Sequence, residues 1–240
     1  MTELTLENAP KSELKTMMEN ALHLGHQTQK WHPKIRQYIY TKKNGIHIFD
    51  LRKTYLQLQK ALEYVEKLGN EGKVMLFVNT KPQAQKLIIE AAQDCECPYV
   101  DSKWFPGLLT NFKTIKARVQ YFKKLEAEDK SGELEEKFLK KEVSKFKKEI
   151  EKLKDALGGV ENLNKLPAAL FVTDIKRDSI AVKEARKLNI PLIAITDSNT
   201  DPTLVDYPIP ANDDSLRALE YIVEKIKGSY VKGKKSPKKK

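Results

Sequence analysis

Short apolar runs that alternate with helical repeats are the feature that most constrains the fold of this 240-residue chain. Several runs are apolar at successive positions, as buried parallel strands usually are. Between them, apolar residues recur every three or four positions, which is typical of helices packed on a sheet. The predicted strands are 46–49, 74–78, 99–100, 170–174, 192–196 and, at an edge, 205–210. The alternation predicts an α/β fold with a mostly parallel sheet and a last helix that ends near Lys227.

Residues 112–157 break this alternation, because they contain no β pattern. Apolar residues there step by three and four in two series, at 112–122 and at 143–157, which is the spacing of a coiled-coil seam. The segment Lys130-Ser131-Gly132 lies between the series and can reverse the chain. The pattern predicts an inserted antiparallel coiled-coil hairpin. It either grips a partner protein or RNA, or is a solvated arm.

The predicted domain organisation follows from these patterns. Residues 1–111 and 158–228 form a discontinuous α/β domain, and residues 112–157 form the hairpin insertion. Residues 229–240 hold six basic residues and no acid, so we predict a disordered Lys-rich tail. Such a tail would strengthen binding to RNA without sequence preference.

Several classes of function lack their sequence signals. No apolar run approaches the ~18 residues of a membrane span, and the N-terminus has no secretory signal pattern. The two cysteines, Cys95 and Cys97, are expected to be buried thiols in a reducing cytosol. The glycine-rich loops that cradle phosphates are missing, and so are the nucleophile and zinc motifs of hydrolases. We therefore expect a cytoplasmic protein that is not an enzyme.

Charge indicates the kind of partner. The chain has 44 Lys+Arg against 33 Asp+Glu, a formal net charge of +11. A basic surface attracts nucleic acid, an anionic membrane or an acidic protein. Only six of the 44 are arginine, and lysine contacts phosphates as a point charge and does not read base edges bidentately. This bias favours recognition of RNA by its backbone and shape.

Two stretches, 23–53 and 103–113, combine basic with aromatic residues. Basic side chains contact phosphates, and planar side chains stack on unpaired bases at ~1–3 kcal/mol per base. The alternative for Trp104 and its neighbour Phe105 is a place in the core beneath the hairpin. The candidate RNA contacts are Lys30, Trp31, Lys34, Arg36, Lys42, Lys43, Lys103, Trp104, Thr110, Asn111 and Lys113.

The four histidines lie within residues 23–47 and leave two interpretations open. His23-x-x-His26 has a spacing that can present two imidazoles to a metal, with strand-end aspartates such as Asp213 as further ligands. The alternative is that these histidines make hydrogen bonds to backbone or RNA. We commit to no metal site and no cofactor.

The chain resembles the bacterial small-subunit ribosomal proteins of the S-two family over about residues 14–227. No single promiscuous motif carries the resemblance. The matching segments include Leu-Gly-His-Gln-Thr at 24–28, Asn-Gly-Ile-His-Ile-Phe-Asp-Leu at 44–51, Leu-Thr-Asn-Phe-Lys-Thr-Ile at 109–115 and Asp-Tyr-Pro-Ile-Pro at 206–210. One departure is Pro106, which lacks the N–H that the family's usual loop has and puts that loop's backbone contacts in doubt.

The resemblance implies a Rossmann-like or flavodoxin-like α/β fold with the hairpin inserted, and no catalysis. It implies a structural component that binds small-subunit ribosomal RNA and helps dock the large S-one protein beside other small-subunit proteins. Neither a membrane nor a second copy of the chain is an expected partner. Asn44 and Lys81 join the candidate RNA contacts on this ground, and a divalent metal near His26 and Asp213 is compatible with the family.

Two other hypotheses remain. The chain could be a nucleotide- or metal-dependent α/β enzyme that uses the strand-end residues Asp174, Asp197 and Asp213. It could also be a protein-interaction scaffold in which the hairpin is the working part.

Overall fold

Strands and helices alternate along most of residues 9–235, the part of the chain that the computed structural model describes. The strands in this range are β1 (Leu24–Gln27), β2 (Ile39–Lys43), β3 (Ile46–Phe49), β4 (Met75–Val78), β5 (Tyr99–Val100), β6 (Ala169–Val172), β7 (Leu192–Thr196) and β8 (Tyr207–Pro210). The α-helices are α1 (Lys11–Glu19), α2 (Leu51–Asn70), α3 (Gln85–Asp94), α4 (Phe112–Ser131), α5 (Glu133–Lys137), α6 (Lys140–Leu157), α7 (Ser179–Lys187) and α8 (Leu216–Lys235). None of these helices is long and apolar enough to cross a membrane.

The main sheet has five parallel strands in the order β5-β4-β6-β7-β8, so the predicted α/β fold is confirmed. Every residue of β4, β6 and β7 is buried because helices cover both faces. Phe77 and Phe171 pack with α2, α3 and α8 on one face. Their neighbours Leu76 and Leu170 pack with α4 and α7 on the other. Alternation of side chains along each strand therefore divides the apolar residues between two cores.

A second, antiparallel sheet has the order β1-β3-β2. Residues 46–49 were predicted as a strand, but they pair in this small sheet and not in the parallel one. β2 escaped prediction because its last four residues are exposed and polar or aromatic, so no apolar alternation marks it. Asn44 and Gly45 turn the chain between β2 and β3 at φ +50° and +74°, values that Asn and Gly adopt readily.

Helices α4, α5 and α6 occupy the region predicted as a hairpin. Gly132 ends α4 at φ +82°, and the short α5 precedes the antiparallel return along α6. Far from the sheet, Phe122 on α4 packs against Val143 and Ile150 on α6. At the base, however, Ile115 lies in the same core as the sheet residues. The first turns of α4 are thus part of the α/β core, and the boundary at residue 112 does not separate two cores.

Helix α8 corrects the predicted tail. It does not end near Lys227 but continues to Lys235, so residues 229–235 are not a disordered tail. The reason is close packing on α2: a Cβ on Gly233 would lie 2.1 Å from the Glu66 carbonyl oxygen, and Tyr230 is 2% exposed. The rest of the predicted tail, 236–240, lies outside the described residues. The predicted burial of both cysteines is confirmed.

Candidate nucleic-acid interface

The carboxyl ends of the parallel strands bring Lys81 into a cluster of aspartates. Its Nζ lies 2.9 Å from Asp174 Oδ2, 2.8 Å from Asp213 Oδ1 and 2.9 Å from Asp214 Oδ1. Burial alone would lower the pKa of Lys81, but the surrounding carboxylates raise it above its ordinary value. The Lys81 side chain is 8% exposed. The structure therefore removes Lys81 from the candidate RNA contacts, because its ammonium is an internal counter-charge.

His26 lies beside the same cluster. Its Nδ1 is 3.1 Å from Asp197 Oδ1 and its Nε2 is 3.3 Å from Asp214 Oδ2. The pKa of His26 is raised, mainly by its hydrogen bond with Asp197, although burial alone would lower it. The cluster is thus neutralised in part by the protein's own cations.

The candidate metal position is defined by His26, Asp213 and Asp214, whose ligand atoms lie within 4.8 Å of one another. One imidazole and two carboxylates are donor types that zinc accepts. A cation there would share both aspartates with the Lys81 ammonium and would compete with the proton on His26. His23, the predicted second imidazole, is not in this group of described residues. This geometry does not test our expectation of no metal site, which stays a prediction.

The strand-end aspartates of the enzyme hypothesis make structural hydrogen bonds. Asp174 Oδ1 accepts from the backbone N–H groups of Lys176 and Arg177, both at 2.9 Å. Asp197 Oδ2 accepts from the backbone N–H of Asp213 at 3.1 Å. These carboxylates hold loops at the ends of β6 and β7.

The N-terminal basic stretch forms a surface on the small sheet. The 3-10 helices Thr28–Lys30 and Pro33–Tyr38 lead into β2, and the β2–β3 turn presents Asn44 to solvent. Lys34 is partly engaged: its Nζ donates to Asp201 Oδ2 at 2.8 Å and to Thr203 Oγ1 at 2.9 Å. We place Lys34 at the edge of the surface, because RNA would have to compete with Asp201.

The second stretch, 103–113, is fastened to α7 by Glu184. Glu184 Oε1 accepts from Trp104 Nε1 at 3.0 Å and from the Gly107 N–H at 2.7 Å. Glu184 Oε2 accepts from the Leu109 N–H at 3.0 Å, and from the N–H and hydroxyl of Thr110 at 3.0 and 3.1 Å. The loop therefore keeps its backbone contacts although Pro106 has no N–H.

These contacts change the role of two predicted residues. Trp104 is 5% exposed and lies in the core, so the structure supports the core alternative and contradicts an RNA contact. The Thr110 hydroxyl is already used by Glu184, although the residue itself is exposed. Lys103, Asn111 and Lys113 remain at the surface, and Asn111 Oδ1 accepts from the Thr114 hydroxyl at 2.8 Å.

Sequence reasoning missed Glu184 as a functional residue. It is 8% exposed and lies on the buried face of α7, three residues after Ala181 and one before Ala185. A single carboxylate on the apolar face of a predicted helix was the signal, because a buried charge must have hydrogen-bond partners.

After these corrections, one group of predicted contacts shares two properties. Each side chain is exposed, and none forms a salt bridge with a carboxylate of residues 9–235. Unlike Lys34 or Arg52, they are therefore available to an external anion. These six cations are Lys30, Arg36, Lys42, Lys43, Lys103 and Lys113.

Comparison with known proteins gives one consistent result. The family described as Ribosomal protein S2 matches residues 17–233. The chain is 46% identical over 221 residues to the small ribosomal subunit protein uS2 of Dictyoglomus thermophilum, covering 92% of this chain and 89% of the relative. It is 44% identical to the uS2 protein of Dictyoglomus turgidum over the same shares. For the uS2 protein of Coprothermobacter proteolyticus the identity is 45%, over 92% of this chain and 82% of the relative.

Proposed function

This chain belongs to the ribosomal protein S2 family, so it is a structural component of the small ribosomal subunit and not an enzyme, and we propose that it binds ribosomal RNA through its exposed basic loops. The observation that carries the proposal is the set of six exposed cations without a carboxylate partner in residues 9–235. The proposal places the protein on the ribosome in the cytoplasm.

In the proposed mechanism the protein positions RNA helices and catalyses no reaction. Lysines and arginines that neutralise phosphates release condensed counterions, and this release supplies salt-dependent affinity. Glu184 on α7 holds the loop at 103–113 through Trp104. The backbone N–H groups of His26 and His32 donate to Ser198, in the loop after β7, and so tie the small-sheet region to the parallel sheet. RNA helices that contact both this loop and the small sheet would be held in a fixed relation.

The test is the salt dependence of binding to small-subunit ribosomal RNA. The double variant Lys42→Ala/Lys43→Ala should bind more weakly and reduce the slope of log affinity against log salt by about 2, since each phosphate contact contributes about 1. The matched control is Lys60→Ala, an exposed lysine on α2 outside the basic stretches. Equal slopes for the double variant and the native protein would contradict the proposal.

We also propose that the arm formed by α4, α5 and α6 helps dock a neighbouring small-subunit protein, the S-one protein in the family resemblance. The support is apolar surface beyond the end of α5, where Leu139 is 75% and Phe138 40% exposed. Exposed apolar groups placed together are typical of protein contacts. Retention of S-one on reconstituted subunits should fall for Leu139→Ser and not for Leu166→Ser, which alters an exposed leucine elsewhere. Unchanged retention would contradict this role.

A further inference from the structure

An open basin lies on the small antiparallel sheet beside β2. Its volume is about 610 Å³, within the ~300–1,000 Å³ of pockets that hold small organic ligands. Trp31, Arg36, Lys42 and His47 line it together with Ile39 and Thr41. The described residues around it include aromatic, basic and apolar side chains and no carboxylate. This combination suits a planar ligand that carries negative charge.

Trp31 supplies the planar surface. Its ring packs on His47 with centroids 5.2 Å apart and an interplanar angle of 32°, which restricts its orientation. Even so, Trp31 stays 37% exposed and contributes to the basin wall. A ring that is supported on one side and open on the other is preorganised for stacking, and little side-chain entropy is lost when a ligand binds.

The rim supplies positive charge. Arg36 and Lys42 are exposed, and neither forms a salt bridge within residues 9–235. Lys42 lies directly opposite His47 in the β2–β3 register, so its ammonium group and the Trp31–His47 pair share one part of the sheet. Charge and stacking surface are therefore close enough for one ligand to use both.

His47 supplies unsatisfied polar atoms at the floor. The residue is 7% exposed. The Thr28 backbone approaches its ring, yet neither Nδ1 nor Nε2 completes a hydrogen bond in the described part of the chain. Buried polar atoms without partners are rare in native proteins and call for an explanation. A polar group from outside the described residues would satisfy these nitrogens.

We propose that this basin binds one unpaired nucleotide of RNA, with the base stacked on the open face of Trp31 and its phosphate against Arg36 and Lys42. The proposal rests on the proposed RNA-binding function and adds a site for a single unstacked base to it. Stacking of this kind tolerates every base, because each base has a planar face.

The experiment uses a single-stranded RNA hexamer and the full chain. The hexamer should quench the emission of Trp31, one of two tryptophans in the chain, whereas a blunt RNA duplex should not. Trp31→Leu should abolish this quenching and weaken hexamer binding by about 5- to 150-fold, the loss of one stacked base. Trp31→Leu should leave the salt slope unchanged, because it removes no cation. Trp31→Phe, which keeps a ring, should retain most of the affinity.

The matched control is Tyr40→Leu, which removes a 68% exposed aromatic ring on β2 that lies outside the basin and should not weaken hexamer binding. Equal affinities of Trp31→Leu and native protein, with the Lys42→Ala/Lys43→Ala variant weakened, would overturn the nucleotide site and leave the proposed function intact. Insensitivity of RNA binding to both variants would overturn both. Quenching by a protein segment and not by RNA would show that the basin docks a peptide instead. If Trp31→Leu fails to fold, quenching and the Trp31→Phe affinity decide.

Discussion

Substituting Glu184 by glutamine is expected to destabilise the loop that carries Lys103, Asn111 and Lys113. Each Glu184 oxygen accepts two N–H donors, Trp104 Nε1 and Gly107 on one side, and the Leu109 and Thr110 backbones on the other. Glutamine replaces one oxygen by an NH₂ group, which cannot accept a hydrogen bond. Either orientation of the amide therefore leaves two N–H donors without an acceptor.

The magnitude follows from that count. An unsatisfied buried donor costs about 1–3 kcal/mol, so two of them lower the free energy of unfolding by about 4 kcal/mol. Urea denaturation at pH 7 measures this loss. The control is Glu220→Gln, an exposed glutamate on α8, for which we expect a change below about 0.5 kcal/mol. A Glu184→Gln variant as stable as the Glu220→Gln control would refute the reasoning.

The pH dependence provides a second check. Burial would raise the pKa of Glu184, but hydrogen bonds from Trp104, Thr110, Gly107 and Leu109 lower it below its ordinary value of 4.5. A carboxyl group whose pKa is lowered by folding stabilises the protein above its unfolded pKa, and this contribution is lost as the pH falls through the folded pKa. The difference between native protein and Glu184→Gln should be largest at neutral pH and should shrink below about pH 4.5. A difference that grows on acidification would contradict this assignment.

Three further predictions concern stability, each measured by urea or thermal unfolding. Lys81→Met removes the ammonium that Asp174, Asp213 and Asp214 share and should cost about 3–5 kcal/mol; an unchanged stability would contradict its role as their counter-charge. Gly233→Ala forces a Cβ within 2.1 Å of the Glu66 carbonyl and should destabilise, whereas Gly228→Ala on the same helix meets nothing within 4 Å and should stabilise by about 0.5–1 kcal/mol. Burial raises the pKa of Asp178 to about 6, so its stabilising effect is lost as the pH rises through 6. Asp178→Asn should therefore gain up to about 3 kcal/mol at pH 8 and nothing near pH 4, and a gain that is independent of pH would contradict the assignment.

The parallel sheet could be predicted from the sequence because its central strands are apolar at every position. This pattern is visible in the sequence without knowledge of the tertiary structure. β1 and β2 could not be predicted, since their residues are mostly exposed and polar. The length of α8 depends on Gly69 and Gly233, which make close contacts with the opposite helix. These contacts join residues that are far apart in the sequence. Glycine inside a helix usually lowers helix stability, so the sequence alone did not indicate that these glycines allow close helix packing.

Exposure of the candidate residues could be predicted best where the sequence is uniformly polar, whereas their contact with RNA stays a prediction. Lys42 and Lys43 are exposed on a polar edge strand, as a run of basic residues suggests. Lys81 and Trp104 were misread because their partners, Asp213 and Glu184, are distant in sequence. Residue type indicates which bonds a side chain can make. Whether these bonds are made inside the protein is settled only by the fold.

The pairing of α2 with α8 imposes an order on folding during synthesis. The Ser229 hydroxyl donates to the Leu62 carbonyl oxygen across a separation of 167 residues. Contacts of such long range form late, because the chain between them must first be closed into a loop. The apolar face of α2 that packs against α8 therefore stays without this partner until α8 has been translated. A truncated product that ends before residue 216 would keep that face exposed and would be prone to aggregation.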